Sequence, residues 1–578
     1  MCVGSGNVTQ TLLYLLPTIG DHQSFQRIDG EKVINTEKRR CREVLREPVF
    51  LSRAAPMSKQ LDQIQRLLKR KGPLDSNDLV HAITQKGITS NAVAARKVIQ
   101  RAVQSGLLQT SSPVRFDKTF LYYLEEHKAK AKGKRYSTAI KKLLTTKPSH
   151  NRVFKTLLAN KGWITHGQIG KASACLPEDE DRQIGGRKSI NKVVEDLLCL
   201  GIVEEVPGAR HLYRLGMMFG SASIAKAAFL HKLRIEQKLL DGTANWLKNT
   251  YLIAHRGYSC RTLETEAEAF NQTYWDAHGP IYLGPFTRNS KLRRTHTKEN
   301  FLTVDMLAYR TFSIVDADAA VTRYKNIVLR WKTIAITPIV VSRSFSSDAW
   351  NLLRSAGVGA VLLSDVFGKN IDALLQAMWN TISDSRPVAE QIDAIRDTLA
   401  IADGTIDQQG LVGNLKGTLF EFLIALAWKV AGYDITLQKV VRRMPYDEYE
   451  IDIVAIRSGQ CKLIECKGHH AGYRESKDEV ERHFANRCEA AADPYGWDVT
   501  KLHKEVEALF VTSGELDNDA QEYGDKTTRS HGITCTVQTR TQLMKWLSDL
   551  DQAHLCDILD RYYSHPQLTA VGELETQC

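Results

Sequence analysis

The sequence predicts a multidomain protein of mixed α and β structure. The chain has 578 residues, several times the usual length of one domain. Its N-terminal part shows a helix, helix, helix, hairpin pattern twice. Its C-terminal part alternates short apolar strand-like runs with amphipathic helical runs. The composition, 43% hydrophobic and 25% charged, is ordinary for globular protein and leaves enough apolar material for several cores.

The sequence also predicts a cytoplasmic protein without a membrane span. No run of 18 or more apolar residues occurs, and the run 11–16 is too short for a signal peptide. The eleven cysteines include no Cys-x-x-Cys pair, which argues against a zinc ribbon or a disulfide scaffold. Cys461 and Cys466 are interpreted as small core residues. Residues 1–56 have no readable period and are treated as an extension.

Residues 57–127 are predicted to form three helices and a hairpin. Asp75 or Ser76 is expected to cap the second helix and Ser90 the third, and Gly106 ends the third. Strand-like runs follow at 107–110 and 119–123. This order of elements resembles a winged-helix domain, whose third helix would enter a major groove of DNA.

Basic charge is concentrated in this part of the chain. Residues 57–150 hold 19 Lys and Arg against 6 Asp and Glu, a net of +13, whereas the whole chain nets +12. Such a local excess indicates binding to a polyanion, with a solvated helical face as the alternative. Residues 128–148 are predicted to be a basic linker. The candidate nucleic-acid contacts are Arg96, Lys97, Arg101, Lys132, Lys134 and Arg135.

A second unit of the same kind is predicted for residues 149–216. Ser189 is expected to cap its third helix, and 202–206 with 211–215 form its hairpin. Tandem winged helices are therefore expected. The alternative is that one or both serve as protein-docking modules, because a fold does not fix its ligand.

Two α/β units are predicted downstream, at 217–385 and 391–565. Both place an Asp-Ala pair in a helix and a glycine before the next strand, at Asp348-Ala349 and at Asp519-Ala520, which suggests duplication. The first unit carries Asp305 in an apolar run, and the uncharged run 333–337 is taken as its next strand. No Glu-x-Lys strand follows Asp305 in the first unit.

The candidate chemistry lies between Asn414 and Gly468. Glu421 sits in an amphipathic helix, Asp452 in an apolar strand, and Glu465 and Lys467 in the next strand after a short turn. Alternate strand residues share a face, so Glu465 and Lys467 point the same way and Asp452 can meet them across the ladder. A surface hairpin with an ordinary ion pair is the alternative.

Converging carboxylates favour a hard divalent cation, Mg²⁺ or Mn²⁺, bound through Asp452, Glu465 and Glu421. Such a cation can polarise a phosphodiester and activate water, and a neighbouring lysine can stabilise charge on the phosphate. Glu421, Asp452, Glu465 and Lys467 are the candidate catalytic residues.

These residues resemble the PD-(D/E)xK nuclease superfamily, in the restriction-endonuclease-like branch with the Mrr-type enzymes. The match comprises the glutamate of Gly417-Thr418-Leu419-Phe420-Glu421, the strand residue Asp452, and Glu465-Cys466-Lys467, and it covers roughly 405–550. Ile451, not proline, precedes Asp452. The resemblance implies a DNA endonuclease with a role in restriction or defence, acting on duplex DNA, as a homodimer if it cuts both strands. By comparison with it, the unit 217–385 is expected to be a nuclease-like α/β domain without a complete active site, which positions DNA or mediates dimerisation.

Two other functions remain open from the sequence alone. One is a DNA-binding regulator or assembly factor that kept a nuclease fold without turnover, and the other is an RNA-directed nuclease. The need for a partner protein is open as well.

Overall fold

The computed structural model shows a chain that combines helices with several sheets, as the sequence predicts. The described residues from Gln63 onward form one compact unit. The N-terminal extension and Lys132 lie outside the described residues. The structure describes residues 59–128, 133–177, 188–207, 209, 211–262, 268–270, 272–281, 300–330, 335–382, 387–403, 411–443, 447–469, 472–493 and 497–563.

The first helical unit has the predicted order of elements. These are α1 Lys59–Lys71, β1 Leu74–Asp75, α2 Ser76–Gln85, α3 Ala92–Gln104, β2 Gln109–Thr110 and β3 Leu121–Tyr123. The strands form an antiparallel sheet in the order β1-β3-β2. Asp75 caps α2 as predicted, since its carboxylate accepts from two backbone N–H groups of the first turn. The Ser90 prediction is wrong. Asn91 caps α3, because it stands at the position whose side chain reaches the N–H of Ala94.

The segment predicted as a basic linker, 128–148, contains the helix α4, Gly133–Leu144. The linker prediction is therefore wrong. Tyr136, Ile140 and Leu144 recur every four residues and are fully buried, in a core shared by both helical units. Four basic residues on the other faces of α4 make the segment resemble a charged linker, so the sequence did not indicate this row of buried residues.

The second helical unit repeats the order of the first. Its elements are α5 Pro148–Ala159, β4 Trp163–Thr165, α6 His166–Ser173, α7 Ile190–Cys199, β5 Val203–Glu205 and β6 Leu212–Leu215. Its strand order, β4-β6-β5, matches that of the first sheet. Ser189 caps α7 as predicted, accepting from the N–H of Lys192.

The middle unit is built on a mixed sheet of five strands. Its elements are α8 Lys226–Asn249, β7 Ser259–Cys260, β8 Glu268–Phe270, β9 Thr273–Trp275, β10 Ala277–Pro280, β11 Asn300–Leu307, α9 Ile314–Arg330, β12 Ala335–Ser342, α10 Ser347–Ser355, β13 Gly359–Leu362, α11 Leu363–Phe367, α12 Ile371–Ile382 and α13 Val388–Asp403. The sheet order is β7-β10-β11-β12-β13. The β7–β10 and β10–β11 pairs are antiparallel, and the β11–β12 and β12–β13 pairs are parallel.

The C-terminal unit is built on a sheet of six strands. Its elements are α14 Leu411–Val430, β14 Asp434–Arg443, β15 Asp447–Arg457, β16 Gln460–Lys467, β17 Arg474–Glu475, α15 Lys477–Glu481, a π-helical segment Arg482–Arg487, α16 Cys488–Ala491, α17 Val499–Leu502, β18 Glu505–Thr512, β19 Glu515–Leu516, α18 Asn518–Lys526, β20 Arg529–Ser530, β21 Ile533–Gln538, α19 Arg540–Asp549 and α20 Ala553–Tyr562. The sheet order is β14-β15-β16-β18-β21-β20. The first two pairs are antiparallel, and the next two are parallel.

Five strands of each sheet therefore follow the same sequence of directions, so that β11 matches β16 and β12 matches β18. The two Asp-Ala pairs lie in the matching helices α10 and α18. The prediction that the run 333–337 takes the place of the Glu-Cys-Lys strand is wrong for the part of that run that the structure describes. The strand β12 runs parallel to β11 and so takes the place of β18, whereas β15 and β16 form an antiparallel hairpin.

The middle and C-terminal units share one hydrophobic core. Ile235 of α8, Val304 of β11, Leu419 of α14 and Ile464 of β16 all belong to it. The helix α14 is long and apolar enough to cross a membrane by length and composition, but 72% of its most apolar window is buried inside the protein. It is the central packing element between two sheets.

Candidate active site

A close contact between helix α14 and the end of strand β16 sets the geometry of the site. From the sequence, Gly417, one turn before Glu421, is expected to let the helix approach a sheet or a phosphate closely. A Cβ at Gly417 would meet the Gly468 carbonyl oxygen at an ordinary 3.9 Å. The contact that excludes a side chain is at Gly468. A Cβ built there would lie 2.5 Å from Phe420 Cβ and 3.1 Å from Gly417 Cα. Gly468 thus lets the helix carrying Glu421 approach the strand that ends in Lys467.

Asp452 and Glu465 come together across the β15–β16 hairpin. Their neighbours Ile453 and Ile464 are a register pair and are fully buried. The Asp452 carboxylate accepts a hydrogen bond from the backbone N–H of Cys466, with N···Oδ2 at 2.8 Å. Because this N–H belongs to the residue after Glu465, it holds the two carboxylates side by side. Cys461 and Cys466 are buried core thiols, as expected.

Lys467 lies beside Glu465 on one face of β16. Its Nζ donates to Glu465 Oε1 at 3.1 Å. Burial alone would lower the pKa of Lys467, but the Glu465 and Asp452 carboxylates outweigh it and raise that pKa. Lys467 therefore stays charged in the site.

Glu421 completes the cluster from the helix side, half-buried, with its carboxylate accepting from Gln438 at 3.2 Å. Burial raises the pKa of Glu421 to about 7, aided by Glu450 and Glu465 and opposed by Lys238 and Arg234. Burial, and after it the repulsion from Glu465 and Glu421, raises the pKa of Asp452 well above its usual range.

Glu465 behaves differently from these two carboxyls. Burial opposes its ionisation, but Lys467, His483 and Arg487 hold its pKa below the usual value. The surroundings therefore favour the ionised form of Glu465 and disfavour the ionised forms of Glu421 and Asp452. A bound cation would stabilise the ionised forms of all three.

Sequence reasoning missed two basic residues beside Glu465, both on the π-helical segment. Arg487 Nε lies 3.3 Å from Glu465 Oε2 while donating to the Glu450 carbonyl at 2.9 Å. His483 is buried, with Nδ1 3.9 Å from the same Oε2, and burial lowers its pKa to about 4. An Arg and a His spaced by four in a helix were the available signal, but it is common to many solvated helices.

The sequence also offers His469 or His470 as a substrate contact, and Arg474 and Arg482 as phosphate contacts, with a solvated helix face as the alternative for the arginines. The His469 ring stacks on Tyr473 and lies 3.6 Å from Glu475, and Arg474 and Arg482 are exposed. His470 lies outside the described residues.

The donor set fits a hard divalent cation by its chemistry. Glu465 Oε2 is buried and accepts no hydrogen bond. Burial, and after it the repulsion between carboxylates, raises the pKa values of Glu421 and Asp452, and oxygen donors of this kind suit a hard divalent cation. As the side chains stand among the described residues, no group of three Asp, Glu, His or Cys is arranged to hold a metal ion. Binding would therefore require rotation of at least one carboxylate.

Three of the predicted nucleic-acid contacts share one exposed face of α3. Arg96, Lys97 and Arg101 are all exposed, as is Gln100, while Val98 and Ile99 are buried. Lys134 and Arg135 are exposed at the start of α4, but Arg135 also donates to the Lys69 carbonyl at the end of α1. In the second unit, α7 presents Lys192 paired with Glu195 in the place of this basic face.

No family model matches the chain, and no curated protein matches it. A solved structure, the crystal structure of the protein of unknown function AF1548, matches part of it. That match is 20% identical in sequence and covers 23% of this chain and 77% of that chain, with a TM-score of 0.17. A similarity of this size carries no argument about fold or activity.

Proposed function

We propose that the protein is a divalent-cation-dependent endonuclease that hydrolyses phosphodiester bonds of DNA, with a C-terminal domain of the PD-(D/E)xK, restriction-endonuclease-like type. The observation that carries the proposal is the meeting of Asp452, Glu465 and Lys467 at one point of two adjacent buried strands. Buried carboxylates without compensating partners are costly, so a fold that gathers them has a use for them.

Each side chain has a distinct part in the proposed reaction. Asp452, Glu465 and Glu421 would hold Mg²⁺ or Mn²⁺, which when bound polarises the phosphate and stabilises the leaving oxygen. Lys467, kept charged by Glu465, orients the attacking water and stabilises the negative charge that grows on the phosphate. Arg487 keeps Glu465 in place, since it also anchors to the Glu450 carbonyl.

The first helical unit supplies DNA binding in this proposal, as a winged helix that presents α3 to the duplex. Its exposed Arg96, Lys97 and Arg101 are spaced to meet phosphates and base edges along one groove. The second unit, whose α7 lacks a basic face, acts as a docking module. Cytoplasmic action in defence against foreign DNA is part of the same proposal.

The test is cleavage of plasmid DNA by the purified full chain with Mg²⁺ or Mn²⁺. We expect Asp452→Ala to abolish cleavage and Lys467→Ala to lower it by on the order of 100-fold or more. Lys462→Ala is the matched control, because Lys462 lies in the same strand but pairs with Glu507 away from the cluster. Equal cleavage by Asp452→Ala and wild type would overturn the site. An inert wild type on duplex, single-stranded and modified DNA would overturn the activity.

A further inference from the structure

The middle unit repeats the acidic residues of the candidate active site at matching places. Glu236 is the eleventh residue of α8, as Glu421 is of α14, and Asp305 is the sixth residue of β11, as Glu465 is of β16. Asp276 stands directly before β10, the strand that matches β15. All three carboxylates of the middle unit are buried.

The same hydrogen bond occurs in both units and supports this correspondence. The backbone N–H of Met306, the residue after Asp305, donates to Asp276 Oδ2 at 2.7 Å. The backbone N–H of Cys466, the residue after Glu465, donates to Asp452 in the same way at 2.8 Å. By the same count, Leu307 stands where Lys467 stands in the C-terminal unit.

Basic side chains occupy the space among these carboxylates. Arg261 bridges Asp276 Oδ1 at 2.6 Å and Glu236 Oε1 at 3.0 Å, and the N–H of Ala308 binds Glu236 Oε2 at 2.7 Å. Arg323 makes a two-point ion pair with Asp305. Every carboxylate oxygen of the three therefore has a partner, whereas Glu465 Oε2 in the C-terminal unit accepts no hydrogen bond.

The remaining cation comes from the second helical unit. Lys171 of α6 reaches both Asp276 oxygens, at 2.7 and 2.6 Å. A Cβ at the preceding residue, Gly170, would lie 2.6 Å from the Tyr274 ring, so α6 lies directly against the middle unit. Gln168 of the same helix donates to the Tyr309 hydroxyl at 3.0 Å.

We propose that the middle unit is a degenerate copy of the C-terminal unit whose carboxylate site is filled by Arg261, Arg323 and Lys171, so that each chain has one cation-accepting centre and cleaves one strand of a duplex. This inference rests on the proposed function for its strand count, but the filled site stands on geometry alone. Lys171 is the part contributed from outside the middle unit, so the filled site also fixes the second helical unit in place.

The filled site is tested first by thermal unfolding in metal-free buffer. Lys171→Met leaves Asp276 short of a partner, and Asp276→Asn leaves two cations short of theirs. Each is expected to lower Tm by on the order of 5 °C or more, and the double variant by less than the sum. Asp452→Asn, at the matching place, is expected to leave Tm unchanged or raise it, because Asp452 faces carboxylates. Equal losses at Asp276 and Asp452, or additive Lys171 and Asp276 effects, would overturn the proposal.

The single cation-accepting centre is tested by Mn²⁺ titration of the full chain. Asp452→Asn combined with Glu465→Gln is expected to remove all specific Mn²⁺ binding, and binding that survives both would overturn the proposal. A wild type that binds no Mn²⁺ but shows the coupled Lys171 and Asp276 losses would keep the filled site and overturn the proposed function. If Asp276→Asn does not fold, Lys171→Met still decides, because Lys171 retains 17% exposure and its loss leaves the backbone packing unchanged.

Discussion

At the scale of single residues, Asp276 and Asp452 stand at matching positions, but their electrostatic surroundings are opposite. Asp276 is buried with two cations against it, and they hold its pKa down against the effect of burial. Asp452 is flanked by Glu465 and Glu421, and burial and repulsion raise its pKa. The first arrangement stabilises the fold, and the second stores unfavourable energy that a bound cation would release.

The raised pKa of Glu421 predicts a pH-dependent stability without metal. Its folded pKa is about 7 against 4.5 for the free side chain, so the fold is favoured by protonation. In EDTA, Glu421 should therefore destabilise the fold progressively as pH rises from about 4.5 to 7, by up to about 3.4 kcal/mol. Buried histidines such as His483, whose pKa is lowered to about 4, act in the opposite direction, so the measurement is the difference in Tm between wild type and Glu421→Gln at each pH. This difference should grow with pH, whereas the difference between wild type and Glu481→Gln, a change at an exposed position, should stay constant. A wild-type to Glu421→Gln difference that does not change over this range would refute the assignment.

A second prediction at this scale concerns Arg487, which contacts Glu465 and the Glu450 carbonyl. Arg487→Ala should raise the Mg²⁺ concentration for half-maximal cleavage by roughly 10- to 100-fold, with a smaller effect at saturating Mg²⁺. Arg487→Lys should recover part of the loss. The neighbouring exposed Arg482→Ala serves as the control. An unchanged Mg²⁺ dependence in Arg487→Ala would show that Glu465 does not need this contact.

The sequence indicated Asp452, Glu465 and Lys467 because alternation along two short strands fixes which side chains share a face. It did not indicate His483 and Arg487, because they reach Glu465 from a π-helical segment whose position depends on tertiary packing. Glu236 and Asp276 were missed for a similar reason. Glu236 has no distinctive local pattern, and Asp276 stands next to a strand only four residues long.

At the scale of elements, α3 and α7 occupy the same place in two similar helical units but differ in the charge of their exposed faces. The exposed face of α3 carries three basic residues, and the exposed face of α7 carries an ion pair. Changing Arg96, Lys97 and Arg101 together to Ala should weaken DNA binding and reduce the slope of log affinity against log salt by up to about 3.

The matched control is Lys155→Ala with Lys192→Ala on the second unit, which should leave the slope nearly unchanged. Equal slopes for both variants would mean that α3 does not face the DNA. Binding is best measured between 50 and 200 mM salt, with cleavage blocked by Asp452→Ala.

The sequence pattern predicts a helix from Ser347 to Ser355, and α10 has these bounds. A helix was not predictable at α4, where four basic residues outnumber the three buried apolar residues that fix the helix. Strand β11 could be matched with β16 only once the strand directions in each sheet were known, because a short stretch of sequence does not determine whether neighbouring strands are parallel.

At the scale of the whole molecule, the proposal of one cation-accepting centre per chain predicts which product of plasmid cleavage appears first. Supercoiled plasmid should convert to nicked circles first, and linear DNA should appear only as protein concentration rises. In mixtures with Asp452→Ala chains, nicking should fall in proportion to the active fraction and linearisation with its square. Linear DNA formed at the first turnover, independent of concentration, would contradict a single centre.

The core shared by α8, β11, α14 and β16 has a practical consequence for making fragments of this protein. The boundary predicted near residues 386–390 lies between two units that bury their apolar faces on each other, and Arg234 of α8 also pairs with Glu450 of β15 at 2.7 Å. A truncation that begins at 391 would expose the inner face of α14 to water and should aggregate on expression. A fragment that begins near 217 keeps that face covered but removes Lys171 from Asp276, so it should be less stable than the full chain.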